Sequence, residues 1–289
     1  MKSSTPVTRL NIFRSEQLFN IDFVSYRLHN HHFPRHFHDH YVIEMVTSGA
    51  DGFYCNGTNY IAETNELVCI NPGEVHTGNT IGNGGLSYYS LCPRKEKLSE
   101  VAETLHIPLR SDFMFEQTVS DHPLFTVKMK ALFHSFNQPG NNLEQEELFV
   151  DCMKELLQPS SAATEIRSSS NDVRVKQVKD FIRVNFKNDI SLQQLSSLVS
   201  LNPYHLIRLF KRNTGLSPYD YLLITRTEYG RQLLRRGYAV KDAALASGFY
   251  DTSHFNRSFS KYAGASPKFF LSSKGQDCTS FIDQDERDL

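Results

Sequence analysis

Histidine supplies the chemistry that this chain concentrates most. Six of the twelve histidines lie between His29 and His40. His36, His38 and His40 alternate, so on a strand all three project from one face, a geometry suited to a metal ion. The second concentration is cationic. Residues 172–274 carry 17 Lys+Arg against 7 Asp+Glu, net +10, while the rest of the chain carries 14 against 25, net −11. An asymmetry of that size behind a total charge of −1 predicts two modules with different partners, the basic one facing a polyanion.

The basic module repeats itself at an offset of 49 residues. His205 aligns with His254, Arg208 with Arg257, Phe210 with Phe259, Gly215 with Gly264, Ser217 with Ser266 and Pro218 with Pro267. The capping types Asn202 and Asp251 also coincide, as do Leu206 with Phe255 and Arg212 with Lys261. Two copies are too few for a solenoid, so the pattern predicts a tandem pair of small helical units. Each reads as helix, tight turn, helix: 192–200 then 203–213, and 241–247 then 252–262. That is the helix-turn-helix plan, in which the second helix enters the major groove. In the first copy Leu206, Leu209 and Phe210 form an inner face and leave Tyr204, Ile207, Arg208 and Lys211 outward. Arg208 is suited to guanine O6 and N7, Ile207 to a thymine methyl and Lys211 to phosphate. In the second copy Phe255 and Phe259 face inward, and Thr252, Ser253, His254, Asn256 and Arg257 remain as readers, with Asn256 suited to adenine.

These groups need elements to position them. Ser191 with Gln194 fits a capping box, and Asn202-Pro203, Ser217-Pro218 and Ser266-Pro267 each place a capping side chain before a first-turn proline. Gly215, Gly237, Gly248 and Gly264 stand where helices stop, and 218–236 reads as one longer helix. From about Ile21 to Cys92, short β-branched and aromatic segments separated by Gly and Asn predict an antiparallel barrel or sandwich. Two amphipathic helices follow, on Leu124, Phe125, Met129, Leu132, Phe133 and Phe136, then on Leu148, Phe149, Met153, Leu156 and Leu157. Residues 160–172 are polar, serine-rich and coincide with the charge boundary, as a linker would; beyond Gly275 lies an acidic tail. With 39% hydrophobic and 22% charged residues the composition is that of a globular protein and excludes a disordered polar chain or a membrane bundle. No apolar run reaches the ~18 residues of a membrane span and the start lacks an apolar leader, so a cytoplasmic protein is expected. Cys55, Cys69, Cys92, Cys152 and Cys278 are scattered and odd in number, which predicts reduced thiols.

On these residues the chain resembles the AraC/XylS-type transcription regulators. The second unit carries Gly248-Phe249, Asp251, Ser253, Phe255, Arg257, Phe259, Gly264, Ser266-Pro267 and Phe270, and the resemblance covers 173–271. It implies two recognition helices joined by a linker helix and entering successive major grooves. Base contacts are implied at Tyr204, Ile207, Arg208, Thr252, Ser253, Asn256 and Arg257. Ala243, Ser260, Ala263 and Leu271 depart from the family pattern, so the first unit is expected to contribute more affinity. Residues 33–93 resemble the cupin-type sensing domain of these regulators, from Pro34–His40 to Asn71-Pro72-Gly73-Glu74-Val75-His76. Metal-binding cupins use an H-x-H pair, a nearby Glu and a later His. His36, His38 and His76 match, but Val42 holds the Glu place and Glu44 lies two residues on, so the ligand set is incomplete; no cofactor is expected, and a metal on His36, His38 and His76, with Glu44 reaching inward, stands as the alternative. The resemblance implies instead that His36, His38, Tyr41, Glu44 and His76 line a pocket for a small organic effector.

The resulting fold class is a two-domain chain, a cupin-like antiparallel barrel followed by two helices and an all-α tandem helix-turn-helix domain. The divisions are 1–115 for sensing, 116–159 for helical dimerisation, 160–172 for the linker, 173–272 for DNA binding and 273–289 for the tail. The expected function is a sequence-specific transcription regulator, an activator under effector control. Its partners are double-stranded promoter DNA, RNA polymerase and a second copy of itself. The alternatives are a metal-dependent cupin enzyme fused to a DNA-binding module and a sequence-indifferent architectural protein. No P-loop, G-x-G-x-x-G or nucleophile constellation supports an enzyme.

Overall fold

The computed structural model describes residues 9–82, 84–137, 142–157 and 172–272. The 160–171 part of the expected linker, Cys278 and the acidic tail lie outside the described residues. The N-terminal half is built from β1 (Arg9–Phe13), β2 (Asp22–Leu28), β3 (His32–His36), β4 (Val42–Ser48), β5 (Ala50–Cys55), β6 (Thr58–Glu63), β7 (Glu66–Ile70), β8 (His76–Asn79), β9 (Leu86–Cys92) and β10 (Val119–Asp121). All pairings are antiparallel, in a six-stranded sheet ordered β1-β2-β9-β4-β7-β10 and a four-stranded sheet ordered β3-β8-β5-β6. Asn56 and Gly57 both take positive φ, 47° and 96°, which closes the two-residue β5–β6 hairpin with the backbone twist such turns need.

Alternation divides the large sheet into two buried faces. Val24, Leu28, Val46, Val68, Ile70, Leu86 and Tyr88 face the small sheet's Phe53, Cys55 and Ala62. Phe23, Ile43, Met45, Leu67, Cys69 and Leu91 face the other way, onto α1 (Lys95–Thr104), α2 (Pro123–Ser135) and α3 (Asn142–Leu156). Helix α1 was not foreseen, although Leu98, Val101 and Ala102 sit at helical spacing and are buried. The ring of Tyr89 stacks on Phe133 at 4.2 Å, and Phe23 meets Phe136 at 5.1 Å. Apart from Leu124, which is 62% exposed, the apolar stripes of α2 and α3 thus pack onto their own barrel. Each fully buried phenylalanine there contributes about 1.5–3 kcal/mol. The expected separate helical region at 116–159 is continuous with the barrel core, and β10 extends the sheet past residue 115 by pairing with β7.

The C-terminal half runs α4 (Val173–Asn185), α5 (Leu192–Leu198), α6 (Pro203–Thr214), α7 (Pro218–Arg235), α8 (Val240–Ala246), α9 (Thr252–Ala263) and α10 (Pro267–Ser272). Helices α6 and α9 keep the 49-residue offset at both ends. Helix α7 is buried on almost every side because both helical units and the barrel pack around it. Barrel residues join this second core: Phe37 stacks on Tyr221 at 4.8 Å, beside Val75.

Candidate DNA interface and effector cavity

The two recognition helices are set by matching local chemistry. Asn202 accepts from the His205 amide at 2.8 Å and Asp251 from the His254 amide at 2.7 Å, so each helix begins on a side-chain cap. Gly215 and Gly264 end them at φ 74° and 70°, a left-handed conformation that glycine adopts without penalty. The supporting helices differ. Helix α5 begins on a complete Ser191–Gln194 capping box, whereas Ala239 leaves α8 without a side-chain cap.

Leu206, Phe210, Phe255 and Phe259 are fully buried, which turns the opposite sides of α6 and α9 outward. Tyr204, Arg208, Lys211, Ser253, Asn256 and Arg257 are exposed, while Ile207, Thr252 and His254 are half-buried. The Arg208 guanidinium lies 5.7 Å from the Tyr204 ring, a contact that steadies a long side chain ahead of any base. His254 is less free than its sequence position suggests, since its ring packs edge-on against Phe249 at 5.2 Å. One exposed aromatic escaped the sequence reading: Tyr250, 92% exposed, directly ahead of the α9 cap.

Between the two sheets lies a cavity of about 120 Å³. His36, His38, His40, Val42 and Glu44 all line it, the even-numbered members of one continuous segment. His76 enters from β8. Tyr41 does not. It is three residues from Glu44, so alternation turns it to the opposite face, where its hydroxyl donates to the Phe113 carbonyl at 2.7 Å within the helical core. Tyr41 is therefore a core residue, and the expectation that it faces the effector is corrected.

The electrostatics of the cavity follow from burial. Desolvation, reinforced by neighbouring histidines, pushes the His36 imidazole down to about 3 and holds His38 and His76 well below their usual range, so these rings are neutral. On the far wall burial raises the Glu44 carboxyl well above the usual carboxylate range, with Asp51 adding to the effect, and burial lifts Asp51 to about 6. Oε1 of Glu44 is buried without a hydrogen-bond partner, which leaves a polar point inside a largely apolar wall of Val24, Phe53, Val68 and Ile70.

The barrel does not close this cavity alone. Arg231, Tyr262, Ala263 and Phe270 of the helical domain complete its wall. Nη2 of Arg231 donates to Nδ1 of His40 at 2.6 Å and to Oε2 of Glu228 at 2.7 Å; Gln232 donates to Asp39 at 2.6 Å, and Arg235 pairs with Asp22. Strand β3 touches both helical units at equivalent points. Phe33 packs where a Cβ on Gly264 would fall, 2.7 Å away, and Arg35 reaches the Gly215 carbonyl at 3.5 Å. Arg231 and Phe270 were not foreseen as cavity groups, nor Glu228 as the carboxylate bonded to Arg231 behind the cavity wall. Their sequence signal is weak: a carboxylate and a guanidinium three apart on the buried side of a helix.

Among the described residues no helix is long and apolar enough to cross a membrane, and Cys55, Cys69, Cys92 and Cys152 are free thiols. Residues 18–151 match the model of the AraC-like ligand binding domain, and residues 195–273 match a helix-turn-helix domain. The uncharacterized HTH-type transcriptional regulator YbfI of Bacillus subtilis is 30% identical over 227 residues, 77% of this chain and 81% of that one. The HTH-type transcriptional activator RhaS of Klebsiella pneumoniae is 27% identical over 84% of this chain and 88% of its own. Among solved structures, unsaturated fatty acid bound ToxT from Vibrio cholerae superposes with a TM-score of 0.50 at 13% identity, over 94% of this chain and 96% of that one, a likeness of fold. With the paired helical units, the barrel cavity and these relatives together, the chain belongs to the AraC-type transcription regulators: it is a DNA-binding regulator with an AraC-like ligand-binding domain.

Proposed function

We propose that the protein activates transcription at a few promoters, as a homodimer that contacts RNA polymerase, under control of a small molecule held in the barrel cavity. Activation is the role named for the RhaS relative. The observation that carries effector control is the shared wall: a ligand between His36, His38, Glu44 and His76 also touches Arg231, Tyr262 and Phe270 of the DNA-binding domain. Its occupancy changes contacts that fix how that domain sits. The ToxT structure holds an unsaturated fatty acid. Here a cavity of about 120 Å³ with neutral imidazoles and a buried carboxyl favours a compact, partly polar molecule of about one ring's size. The role proposed is binding, not turnover. With α2 and α3 spent on the barrel, the exposed Leu124, Val127 and Leu143 on those helices are the proposed dimer contacts.

On DNA, Tyr204, Ile207, Arg208, Thr252, Ser253, Asn256 and Arg257 read bases, with His254 packed behind them and Lys211 on phosphate. Genome-wide mapping followed by binding to the recovered site tests this. Arg208→Ala should lose about 1–3 kcal/mol of discrimination at one base pair, whereas Lys211→Ala should weaken all sequences alike and lower the salt slope by about one. Equal weakening by both substitutions on every sequence would contradict base reading.

A further inference from the structure

One end of the cavity carries a carboxyl that the protein leaves incomplete. Glu44 lines the cavity and is 8% exposed, and its Oε1 is buried without a hydrogen-bond partner. A buried polar atom in that condition costs stability unless something outside the chain completes it. Its neighbours across the sheet do not: Val68 on β7 has no donor to offer, and the Ser90 hydroxyl on β9 is already 3.5 Å from Sγ of Cys92. Asp51 lines the same cavity, is 7% exposed, and its negative charge bears on Glu44. His36 and His76 add acceptors, not charges. Their Nδ1 atoms stand 2.7 Å and 2.9 Å from the Pro34 and Glu74 carbonyls, which only accept, so the proton sits on Nδ1 and Nε2 keeps its lone pair. The guanidinium in the cavity wall, Arg231, is committed to His40 and Glu228. Its partner His40 lies four residues of chain from Glu44, about 13 Å if extended.

Building on the reading that an effector occupies this cavity, we propose that the effector is a primary organic ammonium with an apolar body of about one ring, its charged nitrogen held by Glu44 and Asp51. A positive charge beside the two carboxyls offsets their mutual repulsion and gives the orphaned oxygen a charge-assisted hydrogen bond. An uncharged alcohol supplies a donor to Oε1 but leaves the repulsion in place. A polyhydroxylated ligand brings further hydroxyls against Val24, Phe53 and Val68, where they find no partner. A carboxylate adds a third acidic group to the pair. Arg231 at the other end disfavours a second positive charge, so the class is a monoamine. Its apolar body fits the aliphatic and aromatic wall that Val24, Phe53, Val68, Ile70 and Tyr88 provide.

The test is calorimetric titration of the full chain at neutral pH with three probes of similar size: benzylammonium, benzyl alcohol and benzoate. Benzylammonium should bind about 10–100-fold more tightly than benzyl alcohol, the worth of a hydrogen bond to a charged group, and benzoate should bind most weakly. That comparison uses the parent protein alone, so misfolding of a variant cannot obscure it. Glu44→Gln keeps the side-chain shape and removes the charge. It should weaken benzylammonium by about 10–100-fold and leave benzyl alcohol unchanged. Benzyl alcohol or benzoate binding as tightly as benzylammonium overturns the ammonium assignment and leaves the effector cavity standing. If none of the three binds, the effector reading of the cavity falls with it. Benzylammonium affinity unchanged in Glu44→Gln overturns Glu44 as the group that holds the nitrogen.

Discussion

Gly230→Ala sets helix propensity against packing, and the distances decide between them. Glycine inside a helix costs roughly 0.5–1 kcal/mol relative to alanine, so α7 taken alone would gain from the change. A Cβ at position 230 would stand 2.5 Å from Cε2 and 2.9 Å from Cζ of Phe255, and 3.1 Å from Oγ of Ser247. The Phe255 ring cannot retreat easily, being fully buried between Phe249 at 5.2 Å and Phe259 at 5.4 Å. Overpacking of a closed core costs about 1–3 kcal/mol, and two ring atoms inside normal contact argue for the upper half of that range. The net expectation is a loss of about 1–2 kcal/mol, or roughly 4–16 °C in the melting of a domain of about 100 residues. Phe255 anchors α9, so the damage should fall on the second recognition helix and spare the first. Thermal melting by circular dichroism gives the first quantity, and a DNA footprint gives the second as weakened protection of one half-box. A variant that melts at or above the parent temperature with an unchanged footprint would refute the packing argument.

Removing either recognition-helix cap, as Asn202→Ala or Asp251→Ala, should cost about 1 kcal/mol each in denaturant unfolding; no loss at either would show that the caps are ornamental. Phe37→Ala removes the barrel ring stacked on Tyr221 and should loosen the two domains. Small-angle scattering should report a larger radius of gyration while each domain keeps its secondary structure, and an unchanged radius would count against that contact. Asp51 is raised by burial to about 6 from 3.8, so the folded barrel holds its proton more tightly than the unfolded chain does. Its contribution therefore favours folding at acid pH and declines as pH rises from about 4 through 6. Asp51→Asn should flatten that part of the stability profile relative to the parent, and superimposable profiles would reject the shift.

Wherever a feature depends on near neighbours in the chain, it was readable in advance. The capping box at Ser191, the caps at Asn202 and Ser217 and the stop at Gly264 all rest on hydrogen bonds or backbone angles within four residues. The same holds for the inward face of α6 on Leu206 and Phe210. Even the error at Tyr41 was legible, since it lies an odd number of positions from Glu44 and strand alternation alone separates them. The fate of the apolar stripes on α2 and α3 was not, because a stripe states that a face will be buried but not against what.

By itself the sequence determined the duplicated helical unit, its charge, its caps and the side of each recognition helix that is turned outward, because periodicity and short-range bonding carry that information. Only the tertiary structure decided which groups meet at the cavity and along the seam between the domains. Glu228 stands 190 positions from His38, and Arg231 stands 191 from His40. Pairings at such separation leave no periodic trace; they arise when two independently patterned modules bury their remaining polar and apolar faces against each other.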